Sequence, residues 1–126
     1  MCNEPVLFVD DDLISRLLNC AVLRESGFNV VEAGSYAEAC AEIERSPRLA
    51  ALVTDIELGL GPDGFEIARR ARLADPEVPV VYMSGTELSR YASEGVGNSR
   101  FIPKPFGPEQ VVKALDDATP LAPASA

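Results

Sequence analysis

The first apolar run of the chain, Val6 to Val9, ends on three consecutive acids, Asp10, Asp11 and Asp12, in the stretch VLFVDDD. Two unit charges about 4 Å apart repel by roughly 4 kcal/mol at an effective dielectric near 20. Acids crowded at the end of a buried strand therefore need water or a cation among them. Later apolar runs also end on residues with chemistry: Asp55, Ser84 and Lys104. Asp10, Asp11 and Asp55 together suit a hard divalent cation, Mg²⁺ or Mn²⁺, which takes oxygen ligands and keeps several waters. Adding a hydroxyl and an ammonium makes a set suited to moving a phosphoryl group. Asp55 would be the nucleophile, forming an acyl phosphate. The metal and Lys104 would neutralise the phosphoryl oxygens, and Ser84 would donate to one of them. Asp12 reads as the N-cap of a following helix.

The elements that must position these groups alternate. Val6–Asp10 reads as a buried strand, being short and continuously apolar. Ile14, Leu17, Leu18, Ala21 and Val22 recur at helical spacing as an inward face until Gly27. Asn29–Ala33 is a second strand, and Ser35 with Glu38 is a capping box for a helix that runs to Arg45 and stops at Pro47. Leu49–Thr54 forms a third strand ending on Asp55. The loop GLGPDG then leads into a helix over residues 64–74. Val78–Met83 is the fourth strand, residues 86–94 a modest helix, and Arg100–Ile102 a short fifth strand. Pro108 opens a last helix with Val111, Val112 and Leu115 inward. The Ala/Pro-rich residues 119–126 read as a disordered tail. Five strand–helix units predict a doubly wound α/β domain over residues 1–118, a parallel sheet with helices on both faces. Right-handed crossovers bring all strand C-termini to one edge, where such sheets bind ligands.

Composition excludes several function classes. The 126 residues carry a net charge of −9 and only two lysines, Lys104 and Lys113, which argues against direct nucleic-acid binding. The absence of histidine removes His-based catalysis and a phosphohistidine donor within the chain. The three cysteines, Cys2, Cys20 and Cys40, form no metal or CxxC pattern. Free thiols fit a cytoplasmic protein. Cys20 and Cys40 read as small buried apolar residues and Cys2 as exposed. No signal-peptide pattern and no apolar run near 18 residues is present, so neither export nor a membrane span is expected.

The segments VLFVDDD, LVTDIELGLGPDG, VVYMSG and FIPKPF, in this order, resemble the response-regulator receiver domain of bacterial two-component signalling. The resemblance spans residues 5–118. It implies a flavodoxin-like five-stranded sheet of order 2-1-3-4-5. It places the metal-binding acidic pair on Asp10 and Asp11, with Asp11 the more direct ligand, and the phosphoacceptor on Asp55. A backbone carbonyl ligand falls on Glu57, the switch hydroxyl on Ser84, the lysine on Lys104 and the switch aromatic on Phe101. It also implies a cis peptide before Pro105. Two departures stand out. Gly59 occupies the family's usual proline position, with Asp63-Gly64 one residue late. The stretch from Ser84 to Lys104 is short and contains Gly95 and Gly97.

The function implied is a Mg²⁺-dependent phosphorylation switch. A histidine kinase or His phosphotransfer protein would phosphorylate Asp55. Ser84 and Phe101 would then remodel a downstream protein-contact face made by the fourth helix, fifth strand and fifth helix. With few residues after the last helix, signalling by protein contact without an output domain is the expectation. Enzymatic activity would be at most weak self-phosphorylation from small donors and autodephosphorylation, in a monomer or a phosphorylation-dependent dimer. Two other classes compete. One is a receiver-like scaffold that is never phosphorylated. The other is a haloacid-dehalogenase-type phosphohydrolase using Asp10 and Asp12, which would leave Asp55 without a role.

Overall fold

A computed structural model describes residues 4–46, 48–59, 61–85, 88–104 and 106–118. The expectations for Cys2, Pro47, Thr86, Pro105 and the tail from Thr119 lie outside these residues. The elements are β1 (Val6–Val9), α1 (Leu13–Glu25), β2 (Val30–Ala33), α2 (Tyr36–Arg45), β3 (Ala51–Asp55), α3 (Gly64–Ala74), β4 (Val80–Ser84), α4 (Leu88–Glu94), β5 (Ser99–Pro103) and α5 (Pro108–Ala118). All strand pairs are parallel, in the order β2-β1-β3-β4-β5. The expected doubly wound, flavodoxin-like fold is therefore the observed one.

Period-two alternation splits the core between the two faces of the sheet. Leu7 and Val9 of β1 join Leu52, Ile67 and Tyr82 on the α2–α3 side. Val6 and Phe8 join Leu23, Val53, Met83 and Leu115 on the α1–α5 side. Strand boundaries shift modestly from the sequence reading. β3 begins at Ala51 rather than Leu49, and β4 at Val80 rather than Val78, just past Pro79, which has no N–H for the ladder. β5 is longer than expected and carries Pro103 at its end, which an edge strand tolerates.

Helix starts follow from their caps. Asp12 accepts the Ile14 amide at 3.2 Å, as expected for an N-cap. Ser35 accepts the Glu38 amide at 3.1 Å, while Glu38 reaches back one residue further than in the standard box, to the Gly34 amide at 2.7 Å.

The inward face of α1 differs from the expectation. Ile14, Leu17 and Leu18 are exposed, and Leu13 with them, whereas Asn19, Cys20 and Leu23 are buried. The apolar residues of α1 cover more of its circumference than the sheet and α5 can bury, so periodicity finds the helix without fixing its rotation. Cys20 is buried as expected, whereas Cys40 is only half-buried on α2.

The energetic consequence is direct. Leu23→Ala should cost about 2–5 kcal/mol by leaving a cavity, whereas Leu18→Ala should stay within about 0.5 kcal/mol. Urea unfolding of the two variants checks this, and equal losses would return Leu18 to the core.

Candidate functional site

The carboxyl ends of β1, β3, β4 and β5 meet at one edge because the ladder continues past the strands. The Asp10 amide donates to the Ala33 carbonyl at 3.1 Å, Ile56 to Met83 at 3.0 Å and Lys104 to Ser84 at 2.9 Å. Asp10, Asp55, Ser84 and Lys104 thus stand at the carboxyl-end edge of the sheet, where the alternation of elements predicts them.

Asp10, Asp11 and Asp55 each offer an oxygen within 4.8 Å of the other two. Asp10 and Asp55 are buried and Asp11 is exposed. Asp10 Oδ2 and Asp55 Oδ1 are buried without a hydrogen-bond partner. Buried carboxylate oxygens rarely go unpaired. Two such oxygens converging with a third, water-facing acid match the donor set of a hard divalent cation that retains part of its hydration. The residues present therefore fit Mg²⁺.

Lys104 Nζ donates to Asp55 Oδ2 at 2.8 Å. The two sides of this pair differ in burial: the Asp55 side chain is 4% exposed and that of Lys104 34%. Burial pushes the Asp55 carboxyl up to about 6, against the pull of Lys104, with Asp10 and Glu57 adding to the rise. Burial acts against the Lys104 ammonium, but the hydrogen bond to Asp55 and the surrounding negative charge hold its pKa above the ordinary lysine value.

Ser84 is buried, and its hydroxyl donates to Glu57 Oε2 at 2.7 Å. Glu57 was expected to act through its backbone carbonyl; its carboxylate contact is additional. Nothing in the sequence signals this contact, because the partners are 27 residues apart. Phe101 is half-buried with its ring 5.2 Å from that of Tyr91 on α4.

Three supporting residues also escaped the sequence reading as site components. Arg16 on α1 donates to the Asp10 carbonyl at 2.8 Å and to Glu32 at 3.1 Å, fixing the end of β1. Gly64 cannot be replaced, because a Cβ there would lie 2.3 Å from the Asp55 carbonyl oxygen. Its amide closes the longer loop onto Ile56 at 2.9 Å. Asp63 caps α3 through the Phe65 and Glu66 amides and accepts Arg90 of α4 at 2.8 Å. Within the same loop, Gly59 and Gly61 take left-handed φ values of 82° and 97°.

The family model described as the response regulator receiver domain matches residues 6–116. The chain is 30% identical to the phosphate regulon transcriptional regulatory protein PhoB of Pseudomonas aeruginosa over 120 residues, 91% of this chain and 51% of that protein. It is 32% identical to the transcriptional regulatory protein SrrA of Staphylococcus aureus over 114 residues, 89% of this chain and 46% of that protein. The chain thus spans about half the length of the curated relatives it matches. A response regulator receiver protein from Sinorhizobium medicae superposes with a TM-score of 0.87 at 34% identity, covering 92% of this chain and 94% of that one. The chemotaxis protein CheY4 of Vibrio cholerae gives 0.83 at 26% identity, covering 93% and 99%.

The raised Asp55 pKa makes a prediction for the protein in EDTA. Its value of about 6 lies above the ordinary 3.8, so the folded state holds this proton more tightly than the unfolded chain. The resulting stability is full below about pH 4 and is lost as pH rises through about 6. Asp55→Asn should therefore exceed wild type in stability above pH 6, with the gap narrowing toward pH 4 in urea unfolding. A gap that does not change with pH would rule out burial as the cause.

Proposed function

Because the chain belongs to the response-regulator receiver family, we propose that it is a phosphorylation-activated switch whose acceptor is Asp55. The observation that carries this reading is the buried Asp55 carboxylate, held by Lys104 at 2.8 Å beside two further acids. The donor is a phosphohistidine of a histidine kinase or His phosphotransfer protein. An Asp55 oxygen forms the new O–P bond as the P–N bond breaks, and the electron pair stays on the imidazole nitrogen, which takes a proton. Lys104 Nζ, beside Asp55, is placed to receive a phosphoryl oxygen.

Asp10, Asp11, Asp55 and the Glu57 carbonyl would hold Mg²⁺, which supplies positive charge against the phosphoryl oxygens. Phosphorylation adds about −1.5 to −2 charge at the strand edge. Ser84 turns its hydroxyl to that charge, and Phe101 follows on β5. This changes the α4–β5–α5 face that a downstream protein reads. Hydrolysis of the acyl phosphate resets the domain.

A protein donor is supported by the exposed α1 face. Ile14 and Leu18 line a groove of about 620 Å³ together with Phe106, Pro108 and Lys104. Lys104 is shared by the groove and the site, so a partner seated on α1 would bring its phosphohistidine toward Asp55. Among the described residues no helix is long and apolar enough to cross a membrane. A cytoplasmic setting and a regulator working through protein contact rather than nucleic acid complete the reading.

Incubation with acetyl phosphate and Mg²⁺ should give a single phosphoryl adduct by intact-mass spectrometry, absent without Mg²⁺ and in Asp55→Asn. An adduct that persists in Asp55→Asn sinks the assignment. Separately, Mg²⁺ at 100 times its dissociation constant should stabilise the fold by about 2.7 kcal/mol, and Asp11→Ala should remove that gain. A melting temperature indifferent to Mg²⁺ counts against the metal site.

A further inference from the structure

The hydroxyl that the proposed switch needs already has an anionic partner. Ser84 Oγ donates to Glu57 Oε2 at 2.7 Å, short enough for a charge-assisted bond. A serine hydroxyl has one proton to donate. Glu57 stands two residues beyond Asp55, past the end of β3, and Ser84 closes β4 on the neighbouring strand. Glu57 is exposed as a residue while Ser84 is buried. Its side chain therefore runs from the rim of the site inward, and its carboxylate meets the hydroxyl next to the acceptor. The negative charge of Glu57 also reaches both Asp55 and Lys104.

We propose that Glu57 is a positioning residue that latches the unphosphorylated state: its carboxylate occupies the Ser84 proton that a phosphoryl oxygen must otherwise receive. This rests on the reading of Asp55 as acceptor and Ser84 as switch hydroxyl. Two anions compete for one donor, so phosphorylation is complete only when Glu57 releases Ser84. The latch is internal and reversible, and it forms no covalent bond. It lowers the population of the active arrangement in the absence of a phosphoryl group by keeping Ser84 turned away from Asp55. The Glu57 backbone carbonyl, assigned to the metal, is untouched by a change of side chain, so the two roles of this residue separate experimentally.

The test is the affinity for beryllofluoride in Mg²⁺, followed by NMR, because beryllofluoride adds to a carboxylate as a phosphoryl mimic. Glu57→Ala should bind about tenfold more tightly than wild type, the equivalent of one charge-assisted hydrogen bond. Glu57→Gln keeps an acceptor oxygen without the charge and should fall between. In a Ser84→Ala or Ser84→Gly background, Glu57→Ala should change nothing, because the latch has no donor to hold. Either background removes the donor, so the comparison does not depend on one variant folding. Equal affinities of Glu57→Ala and wild type overturn the latch. An equal gain in both the Ser84 and Ser84→Ala backgrounds also overturns it, leaving simple charge repulsion. Wild type that shows no Asp55-dependent binding of beryllofluoride and no acetyl phosphate adduct overturns the switch reading itself, which the latch presupposes.

Discussion

The ion pair between Lys104 and Asp55, 2.8 Å long at a carboxylate only 4% exposed, is the contact on which the sheet edge is organised. One ammonium faces three carboxylates whose oxygens lie within 4.8 Å of each other. It cannot neutralise them all, and burial still drives the Asp55 carboxyl up to about 6. Two buried oxygens, on Asp10 and Asp55, remain without a hydrogen-bond partner. Leaving such groups unpaired costs on the order of 1–3 kcal/mol each, more when they are charged. A fold that accepts this cost holds a site poised for added positive charge.

The local chain supports that poise in several ways. Arg16 fixes the Asp10 carbonyl, so the acidic end of β1 cannot swing away from its neighbours. Asp12 serves α1 as its cap, which leaves Asp10 and Asp11 to the site. This division also weakens the phosphohydrolase alternative, which needed Asp12 beside Asp10 in the chemistry. Gly64 lets the loop after Asp55 return against the strand where any side chain would collide with the Asp55 carbonyl. In that loop Gly59 and Gly61 are both left-handed, and Asp63 then caps α3.

The strands and their terminal residues were legible because buried parallel strands read as short apolar runs, and a charge that follows such a run must stand at its end. Helix starts were legible through Asp12, Ser35 and Glu38, whose pairings are local. The rotation of α1 was not, since Ile14 and Leu18 are as apolar as Leu23 and only the packing against α5 decides which are covered. The Ser84–Glu57 and Arg90–Asp63 contacts were also hidden. Each joins residues 27 apart through side chains whose direction depends on the finished fold, and no spacing rule reaches that far.

In the proposed switch, a change at Ser84 would reach α4 through a run of aromatic contacts. Phe65, Tyr82, Tyr91 and Phe101 form a chain of rings with centroids 5.1, 5.6 and 5.2 Å apart. Tyr82 lies on β4 two residues before Ser84, and Tyr91 lies on α4. Arg90, next to Tyr91, stacks 5.0 Å over Phe65 and pairs with the Asp63 cap of α3. Helix α4 is only 7 residues long, too short to be stable through its own backbone bonds. Its position is therefore set by side chains: Arg90 to Asp63, Glu94 to Arg69 of α3, and Tyr91 through its ring contacts and its hydroxyl, which donates to the Ser99 carbonyl at 2.9 Å. Displacing Phe101, as the proposed switch requires, would remove one side of that support, while the bond to Asp63 would keep the other side attached to the loop that follows Asp55. In the proposed switch, the element least able to hold its place alone would thus convert a small change at the strand edge into a different surface.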